Sequence, residues 1–460
     1  MYNPDRPGCV PAPLAHLMNQ SLAEPPTTDG SSDPKPPLRV HTIEVEGLFN
    51  LYDHRIPLHS AERVTVVHGP NGVGKTVIFR LLDALFNQHL VTLAAWPYRR
   101  LEVDFGSSRV VVCQKRGKRE ASARLEITFG DHHETFKVPL ESLAELEQEA
   151  ELLSDEWSRA GGTMETFREI RELRRLADET RRAIRDSALL RELSDRVKLH
   201  VIGTDRLEYH GAGPDTAHRW YPRRPKRVST VDADNADLRG RAQAARADSS
   251  EVAQRLDRSF PQRLISRAID SLTAEEIQDR MVQLGELRGR YDSLGLLDKD
   301  GTEQEDPDLE RLDDTQRRVF SLYVHDSQQK LDALQPIAEP LRLFLDTVNR
   351  RFSQKQLTFS HRGGLSVRLD DGASVPLTAL SSGEQHLLVL LYDLLFRVER
   401  DSLALLDEPE ISLHLGWQKQ FLPDLLAIAQ LRQFDVLLAT HSPAIVGDRD
   451  DLMVPLSLGK

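Results

Sequence analysis

Four groups of residues in the chain are of types and spacings that do phosphate chemistry. Gly69-Pro70-Asn71-Gly72-Val73-Gly74-Lys75-Thr76 fits G-x-x-x-x-G-K-[ST]. In that pattern backbone N–H groups cradle nucleotide phosphates, the lysine reaches the β- and γ-phosphates, and the hydroxyl holds Mg²⁺. Gly69, Asn71, Gly72, Gly74, Lys75 and Thr76 are therefore candidate nucleotide-binding residues, with Thr76 a candidate Mg²⁺ ligand. Leu403 to Leu406 form an apolar run that ends in Asp407-Glu408. A carboxylate at such a strand end is placed to bind the Mg²⁺ held by Thr76, and the next one to polarise an attacking water. Val436 to Ala439 form a second apolar run, ending in Thr440-His441-Ser442-Pro443, where the histidine is in position to contact a γ-phosphate. Ser381-Ser382-Gly383-Glu384-Gln385 precede a run that is apolar on nearly every side, Leu387 to Phe396. Small residues before a helix are common, so the weight rests on the order in which the four groups occur.

The flanking patterns predict the elements that carry these residues. Val64 to Val67 are almost all β-branched, as in a strand buried on both faces. Ile78, Leu81, Leu82 and Leu85 follow at i, i+3, i+4 and i+7, so a helix opens where the phosphates would sit. His41, Ile43 and Val45 alternate with polar residues in a further strand, and Phe49 and Tyr52 on the turn after it are aromatics suited either to stack on a base or to cap a sheet edge. Alternation through 99–140, broken by Gly-Ser-Ser and Gly-Asp turns, predicts an antiparallel sheet. Residues 141–350 turn to charge-mixed helical patterns, with long helices expected over 164–196 and 311–352 and interruptions at Gly161-Gly162, Pro214, Pro222 and Pro261. The expected organisation is a Pro-rich tail over 1–37, two halves of one α/β head over 38–140 and 351–460, and a helical lid over 141–350, from which Val197 to Thr204 return to the sheet as a strand.

Composition narrows the class of protein. In 460 residues, 39% hydrophobic and 29% charged content describe a protein with a substantial core. A formal charge of −12 excludes a surface coated in phosphate-binding charge, so any nucleic-acid contact needs a local patch. Arg219 to Arg227 (RWYPRRPKR) is such a patch, pairing basic residues with Trp220 and Tyr221, a combination that suits phosphate contact and base stacking. A solvated loop or a docking site for an acidic protein is the other reading of it. Cys9 and Cys113 cannot build a disulfide framework, no run is long enough to span a bilayer, and no secretory signal opens the chain, so a cytoplasmic protein is expected.

The succession of loop, SSGEQ, double acid and histidine resembles the ABC-type ATPase heads over roughly 38–140 and 355–450. Within them the chain looks like the branch that holds the RecF, SMC and OLD-like proteins. DEPEISLH at 407–414, SSGEQ and THSPAIV look most like the OLD-like and Septu-like ATPases of anti-phage defence. The resemblance implies a P-loop NTPase fold with a mixed sheet, an added antiparallel β subdomain and a large helical lid. It implies ATP and Mg²⁺ as cofactors, Asp407 supporting the metal, and Glu408 as catalytic base with Lys75 and His441 beside it. Ser381, Ser382, Gly383 and Glu384 would act in trans, contacting nucleotide held by a second copy, so the active unit would be a homodimer or larger. His414 replaces the aspartate usual in transporters, and the family's glutamine is either Gln88 or Gln114. With nineteen residues after His441, the chain is expected to be an ATPase without its own nuclease, acting on a separately encoded effector. Two other readings are a RecF-like clamp on DNA through 219–227 and an ATP-gated scaffold that stores a partner with slow turnover.

Overall fold

A computed structural model describes residues 36–116, 122–141, 143, 164–203, 229–266, 271–298 and 313–456. The basic stretch 219–227, which contains Pro222, and the expected interruptions at Gly161-Gly162 and Pro214 lie outside them. At the centre is a sheet of five parallel strands, in the order β14 (Met453–Pro455), β3 (Val64–His68), β13 (Asp435–Ala439), β12 (Leu403–Asp407) and β8 (Leu199–Ile202). Successive side chains on these strands point to opposite faces, and each face has its own core. Val64, Val66, Ala404, Leu406, Val436 and Leu438 enter one core; Val67, Leu403, Leu405, Leu437 and Ala439 enter the other. This double burial explains why the strands read as unbroken apolar runs.

The second core is closed by helix α1 (Lys75–Phe86) and by a six-stranded antiparallel sheet. That sheet has the order β2 (Tyr52–Pro57), β1 (Thr42–Leu48), β4 (Arg100–Asp104), β5 (Arg109–Arg116), β6 (Ser122–Phe129), β7 (His132–Pro139). The alternating residues of 99–140 supply its buried side: Leu101, Val103, Val110, Val112, Leu125 and Ile127 are fully enclosed.

The first core is closed by helices, including α5 (Thr230–Ser266), α7 (Asp314–Asp332), α8 (Gln335–Asn349) and α9 (Ser382–Tyr392), together with a small antiparallel sheet of β9 (Lys355–Ser360), β10 (Gly364–Leu369) and β11 (Ser374–Val375). The helical tract expected over 311–352 is two helices, because Pro336 sits in the first turn of α8, where its missing N–H costs nothing. The tract over 164–196 divides likewise into α3 (Met164–Asp186) and α4 (Ala188–Arg196), where Ser187 caps Leu190 N at 3.0 Å. Pro261 does not interrupt its helix as expected. It lies inside the 37-residue α5, where its missing N–H leaves one carbonyl without a helical donor, that of the exposed Asp257 four residues upstream. Among the described residues no helix is long and apolar enough to cross a membrane.

Candidate functional site

Register brings the chemistry together. Asp407 pairs with Ala439 and Ala439 with Val67, so the carboxyl ends of β12, β13 and β3 lie in one row. The residues that follow this row are Glu408, Thr440-His441 and His68-Gly69, at the edge where open α/β sheets bind their ligands. Sequence positions more than three hundred apart thus share one mouth.

The loop from β3 to α1 has its shape imposed from above. Gly72 and Gly74 take φ of 83° and 104°, a region that side chains disfavour. A Cβ on Gly74 would stand 2.4 Å from Leu48 Cδ2, because the turn between β1 and β2 packs directly on the loop. Buried His54, on β2, donates from Nε2 to Val73 O at 2.9 Å. Lys75 Nζ folds back onto the loop, donating to Gly69 O at 2.8 Å and Pro70 O at 3.3 Å. Burial lowers the Lys75 pKa, against the pull of the negative charges of Glu408, Asp407 and Glu410. A row of N–H groups at a helix N-terminus, with a lysine and a threonine, fits the phosphates and Mg²⁺ of a nucleotide.

The acids differ in their ties. Asp407 Oδ1 is buried without a hydrogen-bond partner among the described residues, a state that costs about 1–3 kcal/mol unless a ligand relieves it. Glu408 has a left-handed backbone, φ 43°, held by its N–H to Ala439 O at 2.9 Å, and its Oε1 lies 3.6 Å from His441 Nε2. Glu410 reaches across to the end of β13. Its Oε1 accepts from the Thr440 hydroxyl at 2.9 Å and from His441 N at 2.6 Å, while its Oε2 is buried without a partner among the described residues. Gln418 braces the same place, accepting from Ser442 Oγ at 2.7 Å and donating to the carbonyls of Glu410 and Leu413. A cavity of about 410 Å³ opens beside the row, lined by His68, Gly69, Pro70, Thr440, His441 and Asp450 among others.

Ser381 to Glu384 lie elsewhere. Ser381 caps α9, its hydroxyl accepting from Glu384 N at 3.4 Å while Glu384 Oε2 accepts from Ser381 N at 3.0 Å. Lys355 Nζ sits 2.7 Å from Glu384 Oε1; burial raises that carboxyl's pKa, but the bonds from Lys355 and Ser381 outweigh it and hold it below the usual range. This group lines a separate cavity of about 920 Å³ with Arg351, His414 and Trp417, and no residue of 69–76, nor Asp407, Glu408 or His441, lines it.

Of the two glutamines, Gln114 has its side chain already engaged, and Gln88 lies beyond the far end of the helix that follows the loop. The Gln114 amide is taken up by Tyr98 N at 3.1 Å and Ala94 O at 3.0 Å. Gln88 follows the C-terminal end of the 12-residue α1, about 18 Å of helix from Lys75. Phe49 packs edge-on against Trp96, and Tyr52 stacks on His54. His414 caps the helix α10 (Leu415–Arg432), accepting from Gly416 N at 3.2 Å.

Residues 64–447 match the family described as "AAA domain, putative AbiEii toxin, Type IV TA system". The chain belongs to this family. It is a P-loop ATPase of the AAA type, and the mixed sheets and helices described above are that α/β fold. No curated protein matches the chain. Among solved structures, an SMC head domain from Thermotoga maritima is similar at 10% identity, covering 91% of this chain and 95% of that one with a TM-score of 0.34. An Smc head domain with an extended coiled coil from Pyrococcus furiosus, bound to the C-terminal domain of ScpA, is similar at 12% identity, covering 91% and 94%, with a TM-score of 0.36.

Glu410, Gln418 and His54 escaped the sequence reading. Glu410 stands two residues after Glu408 inside DEPEISLH, which is a local hint, but its partners are about thirty residues away in the chain.

Proposed function

We propose that the chain is an ATP-hydrolysing head that closes as a homodimer around two nucleotides and serves as the sensor or motor subunit of a prokaryotic anti-phage system, governing a separately encoded effector. Residues 38–140 and 351–460 would form the head and 141–350 the lid. The phosphate loop and Lys75 would hold the β- and γ-phosphates, and Thr76 and Asp407 would hold Mg²⁺, which needs only one or two protein ligands beside phosphate and water. Glu408 would polarise the attacking water while His441 contacts the γ-phosphate. The observation that carries the reading is the row at the carboxyl edge of β3, β13 and β12, where the buried, unpartnered Asp407 Oδ1 lies one residue from the Glu408–His441 pair.

Action in trans is supported by the separation of the Ser381–Glu384 cavity from that row, and by Ile411 and Leu415 at 65% and 66% exposure beside it, large apolar groups suited to burial by a second copy. The family description names a toxin and a type IV TA system, which supports work as one component of a larger system.

The test is the mass of Glu408→Gln in ATP and Mg²⁺ by light scattering, with Lys75→Ala as control. A dimer that forms in ATP with Glu408→Gln and not with Lys75→Ala is expected. A monomer in both would remove the reading. From the native host, a stoichiometric partner protein would favour the effector-controlling role, and DNA without a partner would favour a RecF-like clamp.

A further inference from the structure

We propose that Glu410 is a positioning residue for the hydrolytic step: its carboxylate fixes the Thr440-His441 backbone so that the imidazole stays against Glu408. This rests on the ATPase reading of the site. Glu410 lies in the 3₁₀ turn Pro409–Ser412, directly after the left-handed Glu408, and spans from the end of β12 to the end of β13. One of its oxygens takes both donors, the Thr440 hydroxyl at 2.9 Å and the His441 amide at 2.6 Å. Hydrogen bonds to an ionised acceptor are short and roughly twice as strong as neutral ones. The neighbouring Ser442 is tethered to Gln418, which also holds the Glu410 carbonyl, so both ends of the cross-link are braced.

His441 is the residue this arrangement serves. It leaves the end of β13, with its side chain about a third exposed and 3.6 Å from Glu408 Oε1. Nothing in that loose contact sets where the ring sits. The hydrogen bond that its backbone N–H donates to Glu410 does, since it anchors the Cα from which the side chain projects. Glu410 is not itself among the residues that line the cavity beside the row; it binds two that are, Thr440 and His441, so it acts through them rather than on phosphate itself.

Steady-state Mg²⁺-ATPase turnover and nucleotide affinity of Glu410→Ala and Glu410→Gln test this. A misplacement of about 1 Å costs on the order of 10² in rate, so Glu410→Ala should lose about 30- to 100-fold in kcat with its nucleotide Kd within about threefold of wild type. Glu410→Gln keeps an oxygen that accepts both bonds and should stay within about fivefold of the wild-type kcat. Equal loss in both variants would mean that charge, not position, is what matters, and would overturn the proposal; so would undiminished turnover in Glu410→Ala. Should Glu410→Ala not fold, Thr440→Val removes one of the two bonds, together with the one that Thr440 Oγ1 accepts from Ser442 N at 3.0 Å, without changing side-chain shape; its kcat should fall about three- to tenfold at unchanged Kd, and an unchanged kcat overturns the proposal. A wild type that turns over no ATP would overturn the ATPase reading as well, whereas turnover in wild type that persists in Glu410→Ala overturns this inference alone.

Discussion

Gly72 and Gly74 occupy the same loop and both have positive φ, yet substitution by alanine should separate them. At Gly72, φ 83°, a Cβ meets nothing within 4 Å among the described residues, so Gly72→Ala costs only backbone strain, about 1–2 kcal/mol. At Gly74, φ 104°, the same strain is joined by a Cβ 2.4 Å from Leu48 Cδ2. Leu48 is fully buried, so its methyl must shift by about 1 Å inside a packed core, and overpacking of this kind costs a further 1–3 kcal/mol or so. Urea denaturation of the nucleotide-free variants should therefore place Gly74→Ala about 1–3 kcal/mol below Gly72→Ala. Leu48→Ala alone should cost about 2–5 kcal/mol through its cavity. Combined with Gly74→Ala, the cavity accepts the new methyl, and the pair should be less destabilised than the sum by about 1 kcal/mol or more. Equal stabilities of the two glycine variants, or strict additivity with Leu48→Ala, would show that the β1–β2 turn does not press on the loop.

Further outcomes follow from the same geometry. Asp407→Asn should raise the Mg²⁺ concentration for half-maximal ATPase activity by at least about tenfold while leaving the fold intact, as metal titration after EDTA treatment will read; an unchanged requirement removes Asp407 from the metal site. Gln114→Ala should leave turnover unchanged and cost about 1–3 kcal/mol in stability, because Tyr98 N and Ala94 O lose their partner. Asp234, on α5, is paired with Arg397 at 2.5 Å, yet burial outweighs the guanidinium and pushes its carboxyl up to about 7 from 3.8, with Asp393 and Asp237 adding to the rise. The folded state therefore keeps a proton that the unfolded chain has released, so stability from this group is full below about pH 4 and is lost as pH rises toward 7, by at most on the order of 4 kcal/mol. The melting temperature should fall from pH 5 to 8 more steeply in wild type than in Asp234→Asn, and parallel slopes would exclude the assignment.

The parts of the site that were legible in the sequence are those whose neighbours in space are also neighbours in the chain. Val64 to Leu85 announce strand, loop and helix because each signal lies within a few residues of the next. The apolar runs before Asp407 and Thr440 announce strands for the same reason. The antiparallel sheet was legible because each of its turns between 99 and 140 is short. That β12 lies beside β13 and β13 beside β3 is a matter of long-range register, and no periodicity carries it. Pro261 costs its helix a single donor, the one for the carbonyl of exposed Asp257, and whether a helix bears that loss is decided by what it packs against, which no local pattern carries. Glu410 is the clearest case. Read along the chain it is one more acid in a turn; placed by register, it spans two strands and takes the amide of the histidine that faces Glu408. Its function can be argued only from the pairing of Asp407 with Ala439, since a slip of that register by one residue would carry Thr440 and His441 out of its reach.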